Sequence, residues 1–447
     1  MGDRIQSFWQ NRLPKTVQKA VQKAPVVPPG ENLTAPAPAI LNYLRAQVGK
    51  LPPPLPCQHA LKKALAEAIR VWQADPEIAN NSLVVLGRPV EDVARIIKTS
   101  VQTASEDDDG SSAKVLYLLG GYHRPPDPLE MNQHIRRALT LQNEAVANQE
   151  AEAPDEEDDA GPTIVVVPRL EQLFLRCIQG WEGIEYLQNL TTRDTSRFWV
   201  FGCNYWAWAF LDRVCQVSAY LEQPFCLPEL SGEDLKAWLS PVVEAPLTMP
   251  LTIPESDESV QIEAVSDSYW NMLSNASSGI GATAARLWLA SLRSREKVDD
   301  ESTSGETNRS ETGSRETSTS QNGIDKNRTD DSASEESGDA ESGDEGSGSK
   351  KQPLTTLVTI KPTLPSLIGL DVMDRYVLHT LLIHGDMTRS HLALSLGEAE
   401  RKIRARLQVL RREGIILQRG RRLSIHPAYY PKLYSELKNN NFLIGMR

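Results

Sequence analysis

The sequence predicts a mixed α/β protein with a parallel sheet covered by helices on both faces, extended by a small helical subdomain and a C-terminal module of helices and one hairpin. Three observations carry that expectation. Short apolar runs, SLVVLG, KVLYLLG, TIVVV and RFWVFGC, alternate with stretches of helical periodicity between residues 56 and 240. Parallel strands read this way because both faces of the sheet are covered. Two acidic tracts, 144–161 and a longer one from Asp299 to about Lys351, are nearly free of large apolar residues and divide the chain. Beyond them, residues 367–447 return to helical periodicity and gather arginines within a chain whose net charge is -11.

The 447 residues exceed what one core encloses, since single cores stop growing near roughly 250 residues. Residues 1–55 open with a short amphipathic stretch and turn Pro-rich in PVVPPGENLTAPAPA and LPPPLP, which reads as a poorly packed tail. Residues 56–240 form the α/β domain, starting with the helix HALKKALAEAIRVWQ and interrupted at 144–161 by an acidic insertion. Residues 241–298 form a helical subdomain, with Trp270, Leu273, Leu287, Trp288 and Leu292 at helical spacing. Residues 299–366 read as a disordered acidic linker, because a segment without apolar side chains cannot offset its ordering entropy.

The acidic balance excludes a protein that coats nucleic acid or anionic membrane over its whole surface. The most apolar stretch, Arg197 to Asp212, is too short for the ~20 residues a bilayer-spanning helix needs. Its aromatics, Phe198, Trp199, Phe201, Tyr205, Trp206, Trp208 and Phe210, lack interleaved basic residues and read as core. The start MGDRIQSFWQ has no apolar leader region, and Gln6 stands where myristoylation needs a hydroxyl, so neither secretion nor a lipid anchor is expected. Cys57, Cys177, Cys203, Cys215 and Cys226 form no CxxC pair and no zinc spacing. They read as reduced and buried, in a cytoplasmic protein without a metal. No nucleophile elbow, HExxH motif or paired Cys-His occurs, and no catalytic residue or cofactor is expected.

The order of strand, turn and helix from residue 56, the run TIVVV, the strand ending at Cys203-Asn204, and then FCLPELSGEDLKAWL and GATAARLWLASLR resembles the core and lid of AAA+ and STAND-type P-loop ATPases. The resemblance covers roughly 56–295 and implies a P-loop NTPase-like sheet with a helical lid. It also implies nucleotide-facing positions at Gly87 and Arg88, at Asn204 as a polar sensor, and at Arg286 or Arg293 in the lid. The chemistry departs from the family. A phosphate loop needs Gly-Lys-Ser/Thr to cradle phosphate and hold magnesium, whereas this turn is Leu86-Gly87-Arg88-Pro89-Val90-Glu91-Asp92-Val93. Pro89 removes an N–H, and Glu91 and Asp92 put negative charge where a helix start would attract an anion. The strand Ile164–Val167 runs into Pro168-Arg169, with Glu171 as the nearest carboxylate. The domain therefore reads as non-catalytic.

In the C-terminal module the first helix carries Val372, Tyr376, Leu378, Leu381 and Leu382 and stops at Gly385. Thr388 caps a second helix with His391, Leu392 and Ala393, and Gly397 makes the turn. A third helix from about Glu398 places Ala399, Ile403, Leu407 and Leu410 on its core face. The opposite face presents Arg401, Ala405, Gln408 and Arg412, flanked by Lys402, Arg404, Arg406 and Arg411. Ile415–Leu417 then pairs with Leu423–Ile425 across a tip of Gln418, Arg419, Gly420, Arg421 and Arg422. This succession resembles the winged helix-turn-helix domain of MarR-like bacterial transcriptional regulators. The resemblance implies duplex DNA as partner, read by the third helix and by a wing bearing Arg419, Arg421 and Arg422. The expectation is a DNA-binding regulator with an ATPase-like domain that does not turn over ATP. The alternatives are a scaffold whose two domains bind proteins, and an atypical ATP-binding regulator.

Overall fold

A computed structural model describes residues 33–76, 79–106, 114–118, most of 124–140, 162–221, 224–244, 247–248, 259–295, 354–367 and 369–444. The expectations for the N-terminal amphipathic stretch, the insertion 144–161 and the linker over 299–353 lie outside the described residues.

β1 (Leu33–Thr34) leads into α1 (Pro38–Lys50) and α2 (Leu55–Ala74). The Pro-rich tail expected up to residue 55 therefore contains an ordered helix. Pro38 starts it where a missing N–H costs nothing, and Ile40 and Leu44, four residues apart, are buried. The central domain runs β2 (Ser82–Gly87), α3 (Val93–Glu106), β3 (Lys114–Tyr117), β4 (Thr163–Val167), α4 (Glu182–Arg193), β5 (Phe198–Asn204), α5 (Tyr205–Cys215) and β6 (Phe225–Cys226). These five strands form one sheet in the order β3-β4-β5-β2-β6, with every pair parallel. β5 lies centrally and all seven of its residues are buried. Phe198, Trp199, Phe201 and Trp206 are core residues. This is a P-loop NTPase-like sheet, with β2 set between β5 and β6 so that the turn after it opens between neighbouring strands.

The region after the central sheet, which includes the segment read as a lid, comprises α6 (Gly232–Val243), β7 (Leu247–Thr248), β8 (Ser259–Ile262), α7 (Asp267–Ser277), α8 (Gly281–Ser291) and β9 (Leu292–Arg295). It is not purely helical, and it recruits a strand from the region read as linker. β10 (Leu354–Thr359) pairs antiparallel with β9 and parallel with β8, in a second sheet ordered β1-β9-β10-β8-β7. Leu357 and Val358 of that strand are buried, which a purely acidic tether could not supply.

The C-terminal module runs α9 (Val372–His384), β11 (Met387–Thr388), α10 (Arg389–Leu396), α11 (Glu400–Arg412), β12 (Ile416–Arg419), β13 (Arg422–Ile425) and α12 (Tyr430–Asn439). Its small sheet is ordered β11-β13-β12. Asp371 caps α9 through a reciprocal box with Asp374, and Thr388 caps α10. Gly397 ends α10 at φ 66°. Three details differ from the sequence reading. Val372 and Tyr376 are 64% and 45% exposed, so the core face of α9 is Val377, Leu378, Leu381 and Leu382. Ala399 is the exposed N-cap of α11 and its core face begins at Ile403. The hairpin tip is only Gly420-Arg421, because Arg419 already pairs with Arg422; Gly420, at φ 58°, supplies the positive angle that two-residue hairpins favour.

The module is not a separate bead on a tether. One continuous core joins β4, β5 and α5 to α9, α11 and α12, while a second core on the other sheet face joins α1, α2, α3 and the lid. No described helix is long and apolar enough to cross a membrane.

Candidate functional site

The turn after β2 is closed upon itself. Glu91 accepts from the backbone N–H of Arg88 at 2.5 Å, and the Arg88 guanidinium lies 3.9 Å from the same carboxylate and 2.6 Å from Glu229. The Glu91 side chain is 7% exposed, and burial pushes its carboxyl above the ordinary range. Gly87 is packed so tightly that a Cβ there would lie 2.5 Å from Val93. The space in which a phosphate loop would hold its anion is thus filled by a carboxylate. Arg88 points to Glu229 and away from the cleft that Asn204 and Arg286 line.

That cleft has a volume of about 430 Å³ and is bounded by Glu91, Asp92, Asn204, Arg286, Asp386 and Arg419. Asn204 and Asp386 on its wall are committed to contacts between the central domain and the C-terminal module. The Asn204 Oδ1 caps α5 by accepting from the N–H groups of Trp206 and Ala207, and its Nδ2 donates to the carbonyl of Ile383 at 2.9 Å. Gln172 donates to the His384 carbonyl and to the Asp386 carboxylate, each at 2.9 Å. Asp386 is also reached by Arg422 at 3.1 Å and by Arg169 at 3.7 Å. A carboxylate of this chain thus sits where the cleft offers cationic and amide donors. Gly385, at φ 72°, makes the turn that delivers it. Further out, the hydroxyls of Tyr205 and Tyr430 meet at 2.7 Å, and the His391 ring bonds the Pro125 carbonyl at 2.8 Å.

Sequence reasoning reached Asn204 but not Gln172, Arg169 or Asp386. No local pattern identifies them, because the contacts that join Gln172 and Arg169 to Asp386 span about two hundred residues of the chain. Replacing Asp386 by Ala is expected to lower stability by about 2 kcal/mol, as loss of charge-assisted hydrogen bonds does. Amide exchange at 383–386 should quicken with it; unchanged exchange there would show that the latch contributes nothing.

The basic face of α11 is open. Arg401, Lys402, Arg404, Gln408, Arg411 and Arg412 are exposed, while Ile403, Leu407 and Leu410 are buried. Lys402 pairs with Glu398 at 2.6 Å and Arg412 with Glu413 at 3.4 Å. Arg401, Arg404 and Arg411 have no ion-pair partner among the described residues. Arg406 does not share this face: it turns inward to Asp374 and Asp371. On the hairpin Arg419 and Arg421 are exposed, whereas Arg422 is half-buried against Asp386. The cysteines are free. Cys57 and Cys203 are buried and Cys177 and Cys215 partly so, but Cys226 is exposed and departs from the buried reading.

No protein-family model matches this chain, and no curated protein sequence matches it. Among solved structures it is similar to the Aeropyrum pernix ORC2 protein in ADPNP–ADP complexes, at 15% identity over 53% of this chain and 63% of that one, TM-score 0.35. It is also similar to Cdc6p from Pyrobaculum aerophilum, at 11% identity over 88% of this chain and 97% of that one, TM-score 0.35. A third similarity is to S. cerevisiae Hsp104 in its casein complex, at 16% identity over 54% and 36%, TM-score 0.30. The chain spans under two thirds of the ORC2 structure. The P-loop NTPase-like assignment stands on the sheet order and the strand-turn-helix at β2.

Proposed function

We propose that this protein is a DNA-associated regulator in which a winged helix, the C-terminal module, lays α11 and its hairpin wing on duplex DNA, and the P-loop NTPase-like domain serves as a mount and does not turn over ATP. The observation that carries this reading is the solvent-facing row of Arg401, Arg404 and Arg411, without carboxylate partners among the described residues, on a helix whose other face is core. Guanidinium groups without counter-ions are suited to phosphates and to guanine edges. Gln408 in the middle of the row adds an amide that can pair with adenine.

The test is anisotropy of the full chain with a labelled duplex across salt. With about six phosphate contacts the affinity should fall roughly 10³-fold between about 50 and 200 mM salt, because each contact releases condensed counter-ions. Arg401→Ala should cost about tenfold. Absence of binding at the lowest salt would end the proposal. A protein partner is the second reading, favoured by the exposed Val372 and Tyr376 on α9 and Val409 on α11; it predicts that Tyr376→Glu disrupts association while Arg401→Ala does not.

A further inference from the structure

We propose that the phosphate-contacting surface does not end at the wing but continues across the cleft mouth onto the lid and the N-terminal helix, through Arg419 of β12, Arg286 of α8 and Arg45 of α1. This rests on the DNA reading above and extends its footprint.

Arg286 lies on the wall shared by two neighbouring clefts. One, of about 300 Å³, is bounded also by Arg45, and the other, of about 430 Å³, by Arg419. Three elements remote in sequence thus converge three guanidinium groups. The carboxylates nearby are already engaged: Glu91 with Arg88, Asp92 as acceptor of the Arg95 backbone N–H, and Asp386 with Arg422, Arg169 and Gln172. Arg286 and Arg419 have no ion-pair partner among the described residues, and Arg45 donates only to the neutral amide of Asn42 at 2.8 Å. Burial, and then Arg45 and Arg419, hold the Arg286 guanidinium below its ordinary range. A half-buried cation flanked by two more is unfavourable without an anion, and a phosphodiester supplies one. Arg419 is the first residue of the α11-and-wing surface to reach this cluster, so a backbone that leaves the wing meets Arg286 and then Arg45.

The experiment measures duplex affinity and its salt dependence for the full chain and for Arg45→Ala, Arg286→Ala and Arg286→Lys, with Arg401→Ala as reference. Each alanine variant should weaken binding about three- to tenfold and reduce the salt slope by about 0.9, and the lysine variant should retain most of both. Arg45 is exposed, so its variant keeps the test decisive even where Arg286→Ala disturbs folding. Wild-type affinity and slope in both alanine variants, with Arg401→Ala still weakened, would overturn this extension and leave the DNA reading intact. Failure of the wild-type chain to bind DNA would remove both. Calorimetric titration with pyrophosphate and with ATP separates the remaining source of phosphate. Arg286-dependent binding of either, alongside unaltered DNA affinity, would assign the cluster to a soluble phosphate compound and overturn the proposal.

Discussion

Acidification from about pH 6.5 to pH 4 is expected to remove several kcal/mol of stability, because imidazoles of the C-terminal module, His379, His384 and His426 among them, are held neutral by the fold. His379 is 5% exposed and bonds the Leu443 carbonyl at 2.7 Å through Nε2. The rings of Trp206 and Phe442 flank it, with centroids 5.6 and 5.0 Å away. Burial, opposed by that bond and reinforced by Arg176, lowers its pKa from 6.5 to about 4. His384 is fully buried beside Phe174, and burial, Arg124 and Arg176 hold it well below the ordinary value. His426 is lowered to about 4 by burial and then by Arg286 and Arg45.

A base whose folded value lies below its unfolded one is neutral in both states above pH 6.5, and its effect is absent there. Below 6.5 the unfolded chain takes up protons that the folded chain refuses, so stability falls as the pH drops toward 4. At about 1.36 kcal/mol per pH unit, His379 alone accounts for roughly 3 kcal/mol. His426 contributes less, since it is partly exposed and screened by solvent. Against a typical domain stability of about 5–15 kcal/mol this is large. The urea midpoint measured at about pH 7.5 and pH 5 should therefore drop markedly, and His379→Gln should flatten the dependence, since stability tracks bound protons in the two states. Equal midpoints at the two pH values would contradict the assigned burial of these rings.

The elements that could be read from the sequence are those whose signal is local. TIVVV and FWVFGCN are strands because a doubly covered parallel strand has no polar face to interrupt it. α11 could be read from its wheel, and with it the exposure of Arg401, Arg404, Gln408 and Arg412. The missed features depend on partners far away in sequence. β10, LTTLVT, follows a low-complexity run and becomes a strand only through β8 and β9. Arg406 and Arg422 sit among exposed arginines in sequence, yet Asp374 and Asp386, from α9 and the turn after it, draw them inward. The carboxylates at the turn after β2 could be anticipated from Glu91 and Asp92, and Glu91 does close that turn on the Arg88 N–H. That the C-terminal module fills the cleft could not, because main-chain carbonyls such as those of Ile383 and His384 carry no sequence signature.

That docking makes Trp206→Ala the most damaging single change expected. Trp206 is fully buried at the start of α5, where the central domain meets the module. Its Nε1 donates to the Tyr430 hydroxyl at 3.3 Å, and its ring centroid lies 6.4 Å from those of Tyr430 and Tyr434. Truncation leaves a cavity that neither side can close alone, because β5 and α5 on one side and α9 and α12 on the other are fixed by their own cores. A buried Trp-to-Ala change costs about 3–5 kcal/mol, and domains of 150–250 residues lose roughly 2–4 °C of Tm per kcal/mol. Since one core spans both parts, they should unfold in one shared transition that moves down by about ten degrees. Scanning calorimetry distinguishes this from a bead-and-tether protein: two transitions, of which only the C-terminal one shifts, would mean that the module folds independently and that its orientation is not set by the cleft. A single shifted transition would mean that the central domain and α11 are one body, so that whatever loosens the cleft residues Asn204, Gln172 or Asp386 also moves α11.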